Sequence, residues 1–182
     1  SPVDVSGPLR RILFDRVATA VLTSATLSVD GSFAFVRGRL GVDEAAELIL
    51  DSPFDAASQA VLYLPGGMPE PRDPAFVEAA IDQTRQLLAV TSGRAFLLFT
   101  SFAILHACHD ALKETVAWPL LVQGEASRHA LLTRFRETPN AVLLATSSFW
   151  HGVDVQGEAL SLVVIDKLPF DVPSDPIVAS RI

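Results

Sequence analysis

Cysteine is almost absent from this sequence, which contains only Cys108 among 182 residues. A single thiol excludes an intramolecular disulfide framework, so we expect a reducing compartment and predict a cytoplasmic location. The sequence also lacks any run of about 18 apolar residues that could span a bilayer. Its start, Ser1-Pro2-Val3-Asp4, has neither the basic nor the apolar region of a secretory signal peptide. We therefore expect no membrane partner.

Positive charge is scarce, with 14 Lys and Arg residues against 21 Asp and Glu residues and a formal net charge of -7. Lysine and arginine supply most of the non-specific affinity for phosphate backbones, so this balance lowers the expectation that the chain alone binds nucleic acid. Backbone N–H groups, hydroxyls and helix N-termini can still hold phosphates without formal charge. The basic residues Arg10, Arg11, Arg37 and Arg39 are interpreted as solvated surface.

No Gly-x-x-x-x-Gly-Lys-Ser/Thr sequence occurs, so the chain lacks the loop with which P-loop enzymes cradle ATP phosphates. A hydrophobic content of 49% in 182 residues is enough to bury a core. The sequence contains no internal repeat and no low-complexity tract. These features predict one compact unit with a short preceding segment, unable by itself to hydrolyse ATP.

Predicted strands and helices alternate through the second half of the chain. Buried strands are predicted at residues 94–99, 120–123, 142–146 and 160–167, and helices at residues 101–113 and 127–137. Another helix is predicted to begin at Asp73-Pro74, with Asp73 as N-cap, and to continue to Gly93. This alternation predicts an α/β fold in which a parallel sheet is covered by helices on both faces.

Two further strands are predicted in the first part of the chain. Residues 17–23 are interpreted as the last strand of a preceding domain, and residues 60–64 as the first strand of the main domain. Residues 28–51 are predicted to form a mostly helical connection. Within it, Asp43-Glu44-Ala45-Ala46 imitates an acidic box, but we interpret it as a helix start with acidic residues in the first turn.

A polar loop at residues 145–157 follows the predicted strand at residues 142–146. Open α/β sheets bind ligands at the carboxyl ends of their strands. Thr146 or Ser147 could donate to a phosphate oxygen there, and Gly152 would let the backbone approach a ligand closely. The alternative is a strand-to-helix turn in which Ser147 and Asp154 act only as caps. The residues of this loop alone leave both interpretations open.

Thr100 and Ser101 lie at a second strand end, directly before a predicted helix. Ser101 is a favourable N-cap, and the free N–H groups of a helix N-terminus also attract anions, so both residues could hold a phosphate. Phe102 and Trp150 are candidates to stack on bases. Domain packing is the alternative for both aromatic residues.

Several short sequences resemble, in order and spacing, the motifs of one protein family. They are Thr23-Ser24-Ala25-Thr26-Leu27 (motif III), Ser52-Pro53-Phe54-Asp55, Phe99-Thr100-Ser101-Phe102 (motif IV), Gln123-Gly124, the stretch from Thr146 to Asp154 (motif V), and Lys167-Leu168-Pro169-Phe170 with Pro173 and Asp175-Pro176. The family is the XPD/DinG group of superfamily 2 DNA helicases. The chain resembles the C-terminal motor part of its bacterial DinG/YoaA-like members over nearly its whole length.

This resemblance implies a RecA-like (P-loop NTPase-type) fold, that of the second helicase motor domain. It assigns residues 1–27 to the end of the first helicase domain including motif III, residues 28–51 to a connecting segment, and residues 52–182 to the second RecA-like domain, truncated before motif VI. The chain would then be a piece of a longer motor. Its nearest partner would be the first helicase domain of the same parent chain.

The implied parent is an ATP-dependent DNA helicase that moves 5′ to 3′ on single-stranded DNA, with ATP and Mg²⁺ between its two motor domains. The resemblance implies that nucleotide binding and coupling involve Thr23, Ser24, Thr26, Gly152 and Asp154, the last by accepting a hydrogen bond from the ribose. Implied DNA contacts are Thr100, Ser101, Phe102, Gln123, Gly124, Thr146, Ser147 and Trp150. No catalytic residue is expected in the chain itself.

A 4Fe-4S cluster needs four cysteine ligands, so the cluster of this family is implied for the parent and not for this chain. The resemblance also implies a role in DNA repair, with single-strand-binding protein or replication factors as candidate partners. Two other functions stay open: a non-catalytic RecA-like protein-interaction module, and a doubly wound domain that binds a small molecule. His151 departs from the family pattern and is assigned no role.

Two clusters of candidate ligands are rejected as sites. His106, Cys108 and His109 imitate a metal site, but helical spacing places Cys108 on an apolar face and His106 opposite it. The second cluster lies among prolines near the end of the chain and is interpreted as surface loop acids. It consists of Asp166, Asp171 and Asp175.

Overall fold

The computed structural model describes residues 4–168, which form two compact units, residues 4–62 and residues 63–168. None of residues 4–62 is buried, so the buried hydrophobic core of the described chain belongs to the second unit. Among the described residues, no helix is both long enough and apolar enough to cross a membrane. The three-part domain division drawn from the motifs stays a prediction.

Residues 4–62 contain three short helices, α1 (Ser6–Ile12), α2 (Ala34–Leu40) and α3 (Ala56–Gln59), and a 3-10 turn at Phe14–Arg16. Helix α2 ends at Gly41, which adopts the left-handed conformation with φ of 73°. A Cβ at Gly41 would lie 2.5 Å from the carbonyl oxygen of Ser6 in α1. The turn after α2 therefore requires glycine both for its backbone angle and for its approach to α1.

The strands predicted at residues 17–23 and 60–64 are wrong, because neither segment forms a strand. Val21 is 80% exposed and Val61 is 93% exposed, so the apolar side chains of these segments are not packed within the described residues. Apolar and β-branched composition favours a strand only where a neighbouring strand supplies hydrogen bonds and a packing surface. The apolar composition of one segment is therefore not enough to predict a strand.

The mostly helical connection predicted at residues 28–51 is also wrong, since α2 is the only helix there and Asp43-Glu44 begins no helix. Asp43 instead accepts a 2.5 Å hydrogen bond from Arg10, and Arg37 pairs with Glu47 at 3.0 Å. Both arginines had been interpreted as plain solvated surface. In the structure they tie the residues after α2 to the helices before them.

The second unit alternates helices and strands, as predicted. Its elements are α4 (Phe76–Thr91), β1 (Ala95–Leu98), α5 (Phe102–Leu112), β2 (Leu120–Val122), α6 (Arg128–Glu137), β3 (Val142–Ala145) and β4 (Leu162–Ile165). The strands form one parallel sheet in the order β2-β3-β1-β4. This arrangement confirms the predicted RecA-like α/β fold.

Side chains on opposite faces of the sheet form two separate core clusters. Leu97 of β1 and Leu144 of β3 pack with the buried side chains of α4 and α5. Phe96 of β1 packs on the other face, where its ring meets Phe135 of α6 edge-on with centroids 4.6 Å apart. Because β1 and β3 are covered on both faces, all of their residues are buried. Strand β4 lies at the edge, and its residues alternate between partly buried and exposed, which differs from the fully buried strand predicted at residues 160–167.

The helix starts are set by polar side chains. Ser101 acts as the N-cap of α5, as predicted, and Ser127 acts as the N-cap of α6; they accept hydrogen bonds from the N–H groups of Ile104 and Ala130. The prediction for α4 was two residues early, because that helix begins at Phe76. Asp73 there accepts a 2.8 Å hydrogen bond from the N–H of Ala75, so its carboxylate holds the turn before the helix.

Candidate functional site

The four strands end at one edge of the sheet, and each is followed there by a polar side chain. Gln123 follows β2, Thr146 follows β3, Thr100 lies two residues after β1, and Asp166 follows β4. Because the strands are parallel, their carboxyl ends meet at the same edge. This edge is where open α/β sheets bind ligands. It therefore contains the candidate site.

Gln123 and Thr146 are joined across the ends of β2 and β3. Oε1 of Gln123 accepts hydrogen bonds from the backbone N–H of Thr146 at 2.6 Å and from its hydroxyl at 3.0 Å. The N–H can only donate, so the atom that faces it must be the amide oxygen of Gln123. Thr146 is only 8% exposed. Both donors of this threonine are therefore used inside the protein.

Thr100 and Asp166 are joined in the same way across the ends of β1 and β4. The carboxylate of Asp166 accepts from the backbone N–H and the hydroxyl of Thr100, each at 3.1 Å, and from the N–H of Lys167 at 2.8 Å. Burial raises the pKa of Asp166, although these hydrogen bonds and the charge of Lys167 oppose the shift. The interpretation of Asp166 as a surface loop acid is therefore wrong.

The sequence signal for Asp166 was its place directly after an apolar strand, the same signal that identified Thr146. The nearby prolines favoured the loop interpretation. Asp171 and Asp175, which had been grouped with Asp166, lie outside the described residues. The predicted Lys167-Leu168-Pro169-Phe170 segment and the prolines that follow it also extend beyond residue 168, where the description ends.

Ser101 differs from Thr100 because it keeps a donor. Its hydroxyl oxygen accepts from the N–H of Ile104 at 3.3 Å, which leaves the hydroxyl hydrogen available. The residue is partly exposed at the N-terminus of α5, an 11-residue helix. A phosphate oxygen could therefore accept from Ser101 and from the free N–H groups of the first helical turn. Phosphate binding by Thr100 and Ser101 stays a prediction.

The loop after β3 begins with a 3-10 turn at Ser147–Phe149. Ser147 is exposed, and Phe149 is buried against the α6 side of the sheet. Gly152 has φ of 63°, a left-handed conformation that favours glycine. The alternative interpretation, in which Ser147 acts only as a cap, is not what the structure shows, because the 3-10 turn has no side-chain cap.

Two arginines of α6 hold this loop by its carbonyl groups. Arg128 Nη2 donates to the carbonyl oxygens of His151 at 2.6 Å and Gly152 at 3.0 Å, and its guanidinium lies 5.5 Å from the ring centre of Phe149. Arg136 Nη2 donates to the carbonyl oxygen of Asp154 at 2.6 Å. Sequence reasoning missed both arginines, since no local pattern marks a helical arginine that reaches a loop carbonyl.

The carboxylate of Asp154 is exposed, and no hydrogen-bond partner for it occurs among residues 4–168. It borders an open depression of about 390 Å³ that is also lined by Arg136, Gln156 and Ala159. A free carboxylate beside an arginine can accept from hydroxyl groups of a ligand. Gly124, on the neighbouring turn after β2, has φ of 108° and open space around it. Its predicted DNA contact is untested.

The two aromatic candidates lie in different environments. Phe102 is 49% exposed, and its ring lies nearly parallel to that of His106 with centroids 6.1 Å apart. Trp150 is partly buried and packs against the α6 side of the core, with its Nε1 buried and without a hydrogen-bond partner within the described chain. Phe102 is therefore available to stack on a base, whereas most of the Trp150 side chain is packed against the core.

The motif III residues Thr23, Ser24 and Thr26 lie in the other unit, residues 4–62. All three are exposed. The hydroxyls of Ser24 and Thr26 are 3.3 Å apart, and the N–H of Thr26 donates to Ser24 Oγ at 3.2 Å. They form a local turn with accessible hydroxyl groups, and their predicted role in nucleotide coupling stays a prediction.

The rejected His and Cys cluster is divided between core and surface, as helical spacing predicted. Cys108 is 1% exposed, and burial raises the pKa of its thiol to about 12. His106 is exposed on the opposite side of α5. The thiol is thus a small apolar core group at neutral pH.

Comparison with known proteins identifies relatives of the whole chain. The family described as helicase C-terminal domain matches residues 84–182, more than half of the sequence. The chain is 39% identical over 181 residues to the ATP-dependent DNA helicase YoaA of Escherichia coli and 36% identical over 185 residues to the ATP-dependent helicase DinG of Mycobacterium tuberculosis. Each alignment covers 100% of this chain and 28% of the relative.

A relative with a different name is the 3'-5' exonuclease DinG of Bacillus subtilis. It is 32% identical over 190 residues, an alignment that covers 99% of this chain and 20% of the relative. The chain therefore spans between 20% and 28% of the length of these three relatives.

Proposed function

The chain belongs to the family of helicase C-terminal domains, and from this premise we propose that it is the second motor domain, with part of its lead-in, of an ATP-dependent DNA helicase. In this proposal the parent moves 5′ to 3′ on single-stranded DNA. The chain contributes part of the DNA grip and one side of the interdomain ATP site. The proposed setting is the cytoplasm and the repair of DNA.

The observation that carries this proposal is the convergence of motif residues at one sheet edge. Thr100, Gln123 and Thr146 come from three separate strand ends, and hydrogen bonds fix their positions there. Ser101 and Ser147 stand beside them with available hydroxyls. The available hydroxyls of Ser101 and Ser147 can hold a phosphate backbone in a chain whose net charge is -7.

Asp154 and Gly152 fit a role at the ribose of ATP. The carboxylate of Asp154 is exposed, and Arg136 holds its backbone carbonyl. ATP with Mg²⁺ would supply the phosphoryl chemistry, and its phosphates would be bound by the first motor domain, since this sequence has no P-loop. Within this chain Asp154 would orient the nucleotide by accepting from a hydroxyl. Thr23, Ser24 and Thr26 would couple nucleotide state to the other domain.

The chain does not fit a 4Fe-4S cluster. Such a cluster needs four thiolate ligands, whereas the sequence has one cysteine, and Cys108 is buried in the core with a raised pKa. We therefore assign any cluster of the parent to residues outside this sequence, and no step of the proposed function depends on it.

Exposed apolar side chains support a protein partner for residues 48–64. Leu48, Leu50, Phe54, Val61 and Leu62 are each at least 72% exposed. In the proposal the first helicase domain of the parent covers them. The same surface would serve the alternative function, a non-catalytic module that docks single-strand-binding protein or replication factors. The two proposals differ in whether ATP turnover depends on Asp154.

The test is ATP turnover by the full-length parent with and without single-stranded DNA. We expect DNA to stimulate turnover, and we expect Asp154→Ala to lower the stimulated rate roughly tenfold, as for the loss of one charged hydrogen bond. Glu158→Ala provides a control, because this exposed acid lies in the same loop region and has no proposed role. ATP turnover that DNA does not stimulate, or that is the same in Asp154→Ala as in the unmutated parent, would favour the interaction module.

Phe102→Ala is expected to weaken binding of single-stranded DNA. A base stacked on an aromatic ring contributes about 1–3 kcal/mol, and the half-exposed ring of Phe102 suggests the lower end, roughly a fivefold loss of affinity. Fluorescence anisotropy with a labelled oligothymidine measures the effect. Val90→Ala, which also removes an exposed apolar side chain, is the control. Equal affinity of the Phe102 variant and the unmutated protein would exclude stacking at this position.

A further inference from the structure

The predicted phosphate ligands at the sheet edge differ in their available donors. The hydroxyl hydrogens and backbone N–H groups of Thr100 and Thr146 are donated to Asp166 and Gln123. A hydroxyl has one hydrogen, so neither threonine can donate to a phosphate while these hydrogen bonds exist. Ser101 retains its hydroxyl hydrogen. The threonines and the serine therefore have different roles.

We propose that Asp166 is a positioning residue that holds Thr100 and the start of α5 in place, so that Ser101 and not Thr100 contacts the DNA phosphate. This inference rests on the function proposed above and assigns a role that sequence reasoning had denied to Asp166. The two residues are 66 positions apart, and their hydrogen bonds connect the end of β4 to the residue just before the N-cap of α5.

Asp166 has a second effect because its carboxylate is a negative group at the edge that receives the phosphate. Like charges repel, and the charge of the adjacent Lys167 is the smallest of the effects that act on this carboxylate. In its charged form Asp166 therefore limits the strength of the grip while it fixes the geometry. A limited grip suits a motor domain that must release the strand in every cycle.

The two oxygens of Asp166 have separate partners, and this permits a sharp test. Oδ1 accepts from the backbone N–H groups of Thr100 and Lys167, and Oδ2 accepts from the Thr100 hydroxyl. In Asp166→Asn the amide oxygen can still accept from both N–H groups, whereas Nδ2 would donate to Thr100 Oγ1 and free the hydroxyl hydrogen. Asp166→Ala would lose all three hydrogen bonds.

The two substitutions should therefore act in opposite directions. In the full-length parent, we expect Asp166→Ala to raise the concentration of oligothymidine that half-saturates ATP turnover by about fivefold or more. We expect Asp166→Asn to lower that concentration by about twofold or more, because one negative charge is removed and one donor is freed. For both variants kcat at saturating DNA should stay within about twofold of the unmutated value, since neither change touches the nucleotide.

Ser101 and Thr100 provide the second comparison. We expect Ser101→Ala to raise the half-saturating DNA concentration by about fivefold or more, and Thr100→Val, which preserves the N–H group, to change it by less than about twofold. Asp110→Ala and Asp110→Asn are matched controls on α5, because within residues 4–168 this exposed carboxylate pairs with His109 and Lys113 of its own helix end. Neither control should change DNA affinity.

Three outcomes would overturn the proposal. The first is equal weakening by Asp166→Asn and Asp166→Ala, which would indicate a purely structural role. The second is a loss for Thr100→Val as large as that for Ser101→Ala, which would make Thr100 a direct contact. The third is an unmutated parent whose turnover does not respond to DNA, which would refute the proposed helicase function itself and this inference with it. If Asp166→Ala does not fold, Asp166→Asn and the Thr100 and Ser101 pair decide the question.

Discussion

Replacement of Gly93 by alanine is expected to lower the free energy of unfolding of residues 63–168 by about 3 kcal/mol or more, the sum of backbone strain and overpacking. Gly93 lies in the turn between α4 and β1 and has φ of 76°. An alanine in this left-handed conformation is strained, because its Cβ crowds the backbone. Backbone strain is the smaller of the two contributions.

The larger contribution comes from the neighbours of Gly93. A Cβ there would lie 2.2 Å from the carbonyl oxygen of Asn140 and 3.0 Å from Cγ of Trp118. Asn140 cannot retreat easily, because it precedes β3 and the next carbonyl, that of Ala141, accepts from the N–H of Ala95 at 3.2 Å. An added methyl group must therefore separate the start of β1 from the start of β3.

Urea unfolding followed by tryptophan fluorescence measures this effect on the correct unit, since both tryptophans, Trp118 and Trp150, lie in residues 63–168. Gly66 and Gly67, two adjacent glycines in the same unit, provide graded controls. Gly66 has ordinary φ and open space, so Gly66→Ala should be nearly neutral; Gly67 has φ of 71° and open space, so Gly67→Ala should show backbone strain alone, about 1 kcal/mol. If Gly93→Ala lowers the free energy of unfolding no more than Gly67→Ala does, the close approach to Asn140 contributes nothing to the effect.

The second unit was predictable from local signals. Strands buried on both faces appear in the sequence as continuous apolar runs, and Ser101 and Ser127 mark the helix starts by their capping hydroxyls. These signals need no knowledge of distant residues. The segments at residues 17–23 and 60–64 carry a similar apolar signal, but a strand also needs a neighbour, and that requirement is not written in the segment itself.

The candidate site was only half predictable for a related reason. Sequence reasoning identifies the polar residues after three of the strands and rejects Asp166 after the fourth. It also does not give the strand order, and the order β2-β3-β1-β4 decides which ends are neighbours. That order joins Gln123 to Thr146 and Thr100 to Asp166. Three residues interpreted as independent ligands, Thr100, Gln123 and Thr146, and one rejected residue, Asp166, in fact form two hydrogen-bonded pairs. The donors that remain available belong to the residues beside these pairs.

Removal of both Arg128 and Arg136 is expected to lower kcat for DNA-stimulated ATP turnover of the parent by about tenfold or more, at least as much as Asp154→Ala, because a misplaced loop loses the close approach at Gly152 as well as the contact of Asp154. This prediction rests on the proposed role of Gly152 and Asp154 at the nucleotide. The two arginines hold three carbonyl groups of the loop, those of His151, Gly152 and Asp154. The 3-10 turn at Ser147–Phe149 ends before them.

The effect should appear in kcat more than in folding. Hydrogen bonds from exposed arginines to exposed carbonyls contribute little to stability, whereas they select one loop conformation among many. Arg128→Lys should retain only part of the activity, because an ammonium can donate to the two carbonyls but lacks the planar guanidinium that lies against the ring of Phe149. The melting temperature of each variant, measured beside its turnover, separates the two contributions.

Arg134 supplies the matched control, since it belongs to the same helix, is exposed and has a side chain without a hydrogen-bond partner among residues 4–168. Arg134→Ala removes the same charge and the same side-chain volume, so a general loss of positive charge on α6 would affect all three arginines alike. We expect its kcat to stay within about twofold of the unmutated value. A double variant of Arg128 and Arg136 that turned over as fast as Arg134→Ala would show that the loop reaches its active conformation without the arginines. In that case contacts outside this chain would have to position Asp154.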